Sequence, residues 1–164
     1  MGPMAGLESE LKARLRGVAP GSVVFVGVGN RFRGDDAIGP AVIDLLAGQA
    51  LHAIDAGPAP ENVTGAIKKL KPGAIVFVDA LIRGDLPPGT PAIAEIGDIR
   101  HAGESTHALS LDVVMEYLKT ETGADVFMIG VEPRRIADGE GLSPGMEEQL
   151  GRLAAAILRS IGGQ

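Results

Sequence analysis

Asp35 and Asp36 stand side by side at the end of a glycine-rich turn, Gly27-Val28-Gly29-Asn30-Arg31-Phe32-Arg33-Gly34-Asp35-Asp36, directly after the apolar run Val23 to Val26. Carboxylates in such a place can hold a cation, accept a proton from water or orient a polar substrate. A glycine-rich turn between a strand and a helix more commonly offers its backbone N–H groups to a phosphate. Here Gly29 and Gly34 have phosphate-loop spacing, but the two aspartates occupy the positions that need Lys and Ser or Thr, and their charge repels phosphate. A dinucleotide fingerprint fails as well, because Phe32 sits where the third glycine is required. The turn therefore reads as one wall of a cation or polar-substrate site.

Other acids recur at comparable places: Asp55, Asp79 and Glu132 each close or follow an apolar run. Strand-like runs at about 22–28, 50–55, 74–79 and 125–131 alternate with helix-like stretches, which predicts an α/β architecture with a largely parallel sheet. A further strand at 90–96 follows Pro87-Pro88-Gly89, a connection too short for a parallel crossover, so it is expected to run antiparallel at an edge. Helices are expected over about 7–17, through Ile38, Val42 and Leu45, and through Leu111, Val114, Met115 and Leu118. The last helix has Ser143 as a natural N-cap, Pro144 at its first position, a stripe of Met146, Leu150, Leu153, Ile157 and Ile161, and Gly162-Gly163 as its stop. Ligands of open parallel sheets bind outside the carboxyl ends of the strands. Asp35-Asp36, Asp55, Asp79 and Glu132 would all arrive at that edge, and so concentrated a negative field requires a cation, a proton or hydrogen-bond donors.

Carboxylates alone suit Mg²⁺ or Ca²⁺, and an imidazole shifts the preference toward Ni²⁺ and Zn²⁺. Of the three histidines, His52 lies within a strand pattern and His101 in a polar loop. His107 follows Gly103-Glu104-Ser105-Thr106 and opens a helix, where its ring can face the crevice of Asp36 and Asp79. Local roles compete with this reading. Either member of the doublet suits a helix cap, Asp79 a turn, and His107 a capping position. Arg31 and Arg33 read as solvated loop residues or a docking pair.

Composition narrows the classes. The chain has 164 residues, 45% of them hydrophobic and 22% charged, which suits one globular domain with its own core. We expect a single domain over 1–164, with an N-terminal helix and lead-in at 1–21 and a C-terminal helix at 143–161. A net charge of −6, one Tyr, four Phe and no Trp argue against nucleic acid as a partner. The absence of cysteine removes disulfides, thiolate metal sites and a cysteine nucleophile together. No Gly-x-Ser-x-Gly elbow offers a serine in its place. Met1 to Gly17 is charged and lacks the apolar centre of a signal peptide, and no run approaches membrane-spanning length, so a cytoplasmic protein without membrane contact is expected.

Taken in order, Gly27-x-Gly29-Asn30-x-x-x-Gly34-Asp35-Asp36-x-x-Gly39-Pro40, Asp55-Ala56-Gly57-x-x-Pro60-Glu61-Asn62, Val78-Asp79-Ala80, Ser105-Thr106-His107-x-x-x-Leu111 and Gly130-Val131-x-Pro133 resemble the hydrogenase maturation endopeptidases. The likeness is nearest to the type serving the formate hydrogenlyase hydrogenase, and it covers about residues 22–135. It implies a three-layer α/β/α sandwich around a twisted five-stranded, mostly parallel sheet with one antiparallel strand. It also implies an aspartyl-type activity that removes the C-terminal extension of a [NiFe]-hydrogenase large-subunit precursor. The nickel contacts carried over are Asp36, Asp79 and His107, which are also the implied catalytic residues, and Asn30, Asp55 and Gly57 are implied at the substrate. Nickel would arrive with the precursor, with no permanently bound cofactor, and a monomer is expected. Ala37 departs from the family's usual glycine after the doublet; alanine excludes a strained positive φ there but fits a helix's first turn. Two other readings keep the same site: a sensor of the metal or loaded precursor without cleavage, and a divalent-metal hydrolase of a small substrate.

Overall fold

The structure, a computed structural model, describes residues 2–49, 51–84, 86–100 and 110–162. His101 and His107 lie outside the described residues, so the expectations placed on them are not met or refused by it. Among the described residues the strands are β1 (Val23–Val28), β2 (His52–Gly57), β3 (Ala74–Ala80), β4 (Pro91–Ala94) and β5 (Asp125–Val131). The helices are α1 (Pro3–Arg14), α2 (Ile38–Leu46), α3 (Thr64–Lys69), α4 (Ile96–Arg100), α5 (Leu111–Thr122) and α6 (Met146–Gly162). The strands form one five-stranded sheet in the order β2-β1-β3-β5-β4. Every pair is parallel except β4 with β5, so the antiparallel edge strand falls where its short connection requires.

Strand β1 is buried at every residue, as a continuous apolar run must be in a sheet covered on both faces. Its side chains alternate. Val23 and Phe25, with Val76, Val78, Phe127 and Ile129, pack beneath α1, α2 and α6. Val24 and Val26, with Ile75, Phe77, Val126 and Met128, pack against Ile67 of α3 and Leu111, Met115 and Leu118 of α5. The result is the expected three-layer α/β/α sandwich.

Several local expectations are corrected. Helix α1 begins at Pro3, whose fixed φ suits a first position, and ends at Arg14, well short of 17 because Gly17 turns at φ +82. Strand β2 begins at His52 and runs on to Gly57, and β4 keeps only Pro91–Ala94. In α2 the buried stripe is Ile38, Val42, Ile43 and Leu46; Leu45 is 46% exposed, because the helix phase turns it to solvent. Helix α6 starts at Met146, since Gly145 at φ +84 cannot belong to a right-handed turn. Ser143 does not cap it: its backbone N–H and hydroxyl are both donated to Asp35, 2.8 and 2.7 Å away.

Two glycines set the height of α2 over the sheet. A Cβ on Gly39 would collide with the carbonyl oxygens of Val28 and Val78, and one on Gly27 with the backbone of Gly39. The start of α2 therefore rests directly on the ends of β1 and β3. Among the described residues no helix is long and apolar enough to cross a membrane.

Candidate active site

The chain leaves β1 for β2 on one side, while β3 lies on the other, so the sheet's winding reverses between β1 and β3. A crevice opens at the carboxyl ends of strands at such a switch point. Asp36 and Asp79 flank it. Asp36 lies in a 3-10 turn (Gly34–Ala37) just before α2, 5% exposed, and its Oδ2 accepts the Asn30 N–H at 2.9 Å. The turn closes this tightly because Gly29 adopts φ +145, and any Cβ there would collide with the Asp36 carbonyl oxygen. Ala37 has φ −77, so its departure from glycine costs no strain. Asp79 follows Val78 in β3, opposite Gly130 of β5, and is 7% exposed. By alternation it shares the face of Ile75 and Phe77, the side of α5.

Asp35 has a different environment. It is fully buried and accepts from the N–H groups of Arg134, Arg135 and Ser143 and from the Ser143 hydroxyl. Burial pushes its carboxyl up, but these donors, led by Ser143, outweigh burial and hold it below the ordinary aspartate value. Asp35 thus fastens the stretch 134–143 to the first turn. The backbone repeats the joint, with Gly34 N–H donating to Glu140 O and Asp35 N–H to Arg135 O. Neither acid caps α2, whose N-cap is Ala37 with no side-chain hydrogen bond.

Glu132, 5% exposed, accepts the N–H groups of Arg83 and Gly84 at 2.8 Å each and fastens the loop after β3. Asp55 is exposed, pairs with Arg31 at 2.8 Å and accepts the Gly57 N–H on its other oxygen. Arg31 also meets Asp44 at 2.6 Å, and Arg33 meets Asp138 at 2.8 Å, so both arginines are ion-paired at the surface. These contacts raise the Arg31 guanidinium and lower the Asp44 carboxyl. Asn30 turns its Oδ1 to the Phe32 N–H, and Gly57, at φ +59, accepts the Gly29 N–H through its carbonyl.

The field expected from so many acids at one edge is therefore balanced by donors at Asp35 and Glu132 and by Arg31 at Asp55. Asp36, in the turn that follows β1, and Asp79, in β3, are both buried at the strands that bound the switch point. Among the described residues no three His, Asp or Glu side chains gather as a metal-binding group, and the third expected contact, His107, lies outside them. Sequence reasoning missed Ser143 as a partner of Asp35 and Glu132 as a loop clamp. The only local signal for either was an acid or hydroxyl beside a glycine-bearing turn.

An open α/β sheet with buried carboxylates at its switch point, in a chain without cysteine or a serine elbow, defines a carboxylate-based site. Comparison with known proteins gives the family. A family model described as HycI, hydrogenase maturation protease, matches residues 44–160, which takes in Asp55, Asp79 and His107 and begins after the first turn. A putative hydrogenase maturation protease of Methanocaldococcus jannaschii is 30% identical over 125 residues, covering 70% of this chain and 73% of the relative. The hydrogenase 3 maturation protease of Escherichia coli K12 is 35% identical over 114 residues, covering 67% of this chain and 72% of the relative. The crystal structure of the [NiFe] hydrogenase maturation protease HycI from Thermococcus kodakarensis superposes with a TM-score of 0.81 at 33% identity, covering 93% of this chain and 99% of that one. This chain belongs to the hydrogenase maturation protease family, a family of peptide hydrolases.

Proposed function

We propose that the chain is the endopeptidase that removes the C-terminal extension from a nickel-loaded [NiFe]-hydrogenase large-subunit precursor, and that it recognises the nickel carried by that substrate. The observation that carries the reading is the placement of Asp36 and Asp79, both buried, one in the turn that follows β1 and the other in β3, the two strands that bound the switch point. The names of the relatives, a hydrogenase 3 maturation protease among them, support the substrate class. Two carboxylates joined by an imidazole form a donor set for a borderline metal such as nickel, and His107 completes it. The nickel is part of the substrate, so contact with it reports that the precursor is loaded.

Peptide hydrolysis requires a polarised carbonyl and a water that loses its proton as it attacks. The substrate's metal supplies the first when it lies beside the scissile bond. Asp36, held by the Asn30 N–H against the start of α2, is an acceptor for the proton. The fixed turn keeps it in place before substrate arrives, so no reorganisation is needed in the reaction.

The test is incubation with nickel-loaded and nickel-free precursor, scored by loss of the C-terminal peptide in mass spectrometry. Cleavage of the loaded form alone is expected. Equal cleavage of both forms overturns nickel recognition, and cleavage of neither overturns the endopeptidase reading in favour of a sensor.

A further inference from the structure

Phe32 is 76% exposed and Ile82 is 62% exposed, the two most exposed large apolar residues among those described. They lie on the two loops that leave β1 and β3, the strands that bring Asp36 and Asp79 to the switch point. Neither loop is loose. The first is pinned by Phe32 N–H to Asn30 Oδ1 at 2.8 Å, by Gly139 N–H to Phe32 O at 2.7 Å, and by buried Asp35 bonded across to 134–143. The second is pinned by Leu81 N–H to Val131 O at 3.0 Å and by buried Glu132 to the N–H groups of Arg83 and Gly84. Each rim loop is thus fastened by a buried carboxylate, the first through its own Asp35 and the second through Glu132 on its backbone, while its large apolar side chain is turned to water. A flexible loop would fold such a side chain onto the core, whereas these hydrogen bonds keep it out.

We infer that Phe32 and Ile82 are the apolar anchors that seat the precursor's polypeptide on either side of its scissile bond, an inference that rests on the endopeptidase function proposed above. A chain that delivers a peptide bond to Asp36 and Asp79 passes both loops. Arg31 and Arg33 on the first loop pair with acids, Arg31 with Asp44 and Asp55 and Arg33 with Asp138, while Phe32 and Ile82 offer apolar surface to bury. The occupant is an extended segment with apolar side chains flanking the cleaved bond. Burying a Phe and an Ile is sufficient to dominate such a contact, since few residues carry most of an interface's affinity.

The test is steady-state cleavage of the nickel-loaded precursor by Phe32→Ser, Ile82→Ser, the double variant and Leu45→Ser, an exposed apolar residue at the far end of α2. The double variant is expected to raise KM about tenfold with kcat within about twofold and an unchanged thermal midpoint, as removal of uniform binding requires. Leu45→Ser is expected to behave as the unsubstituted protein. An unchanged KM in the double variant, or an equal rise in Leu45→Ser, overturns the inference while leaving the endopeptidase reading intact. Failure of the unsubstituted protein to cleave overturns the function on which it rests.

Discussion

Asp35 and Glu132 lie at the same edge of the sheet as Asp36 and are just as deeply buried, yet their surroundings differ from its own. Asp35 takes four donors and Glu132 two backbone N–H groups, all from segments distant in sequence. Among the described residues Asp36 takes one N–H, from Asn30 within its own turn. A buried carboxylate saturated by backbone donors is a fastener, because its lone pairs are committed and its charge is already compensated. One held by a single local donor keeps acceptor capacity for something that enters later. Burial and residue type do not separate the two roles. The origin of the donors does.

The comparison predicts opposite phenotypes for neighbouring residues. Asp35→Ala leaves three N–H groups and a hydroxyl without their acceptor. With each of the four hydrogen bonds contributing about 1 kcal/mol, we expect a loss of roughly 4 kcal/mol in denaturant unfolding. Any processing defect should then track the folded fraction. Asp36→Asn keeps an oxygen for the Asn30 N–H, so its stability should change by less than about 1 kcal/mol while cleavage falls at least about a hundredfold. If both substitutions cost stability alike, the division into fasteners and crevice acids is wrong.

Acid sharpens the same division. The folded Asp35 carboxyl lies below its ordinary value, and unfolding returns it to about 3.9. The unfolded chain therefore binds the proton more readily. The stabilisation is complete above the unfolded value and is lost as pH falls through the folded one. Stability should decline on acidification below about pH 4, and Asp35→Asn should flatten that part of the curve. An unchanged slope would mean that other carboxylates carry the acid response.

Glu132→Gln is expected to be milder. The amide keeps one acceptor for Arg83 or Gly84 but turns an NH₂ toward the second N–H, a loss of about 1.5 kcal/mol. The loop bearing Ile82 should loosen, raising amide exchange at 81–84 while the exchange of β3 stays as it was. Equal exchange in both would deny Glu132 its role as a clamp.

These roles were only partly legible in the sequence. The strands were, because residues 23–28, 74–78 and 126–131 are unbroken apolar runs, and the acids at their ends share an edge in any parallel winding of them. The antiparallel strand followed from the shortness of its connection. The split of the doublet was not legible. Asp35 finds its donors about a hundred residues away, at Arg134, Arg135 and Ser143, and local rules give Ser143 a helix cap that it does not make. Local rules also placed Leu45 in the stripe that Leu46 fills, since a single turn of helix does not fix phase without its partner surface. The glycines were misleading in an instructive way. Gly29 and Gly34 have phosphate-loop spacing, but each is required by the backbone that presses against it.

The smallest effect expected is at Arg31, and it decides to which set Asp55 belongs. Arg31 bridges Asp44 and Asp55 at the surface, with its side chain 42% exposed. Ion pairs of that kind contribute little, so Arg31→Gln should shift stability by less than about 0.5 kcal/mol, less still in high salt. The substitution frees one Asp55 oxygen and leaves the other on the Gly57 N–H. If Asp55 is a fastener of the rim like Asp35 and Glu132, the turn at Gly57 survives and KM for the loaded precursor stays within about twofold. If Asp55 contacts the substrate, release from Arg31 changes its charge toward the crevice, and KM moves by more than that with a dependence on ionic strength. We expect the first outcome, because the Asp55 carboxylate is already divided between a guanidinium and its own strand's turn. Measured across a salt series, KM would show no difference in slope between the variant and the unsubstituted protein.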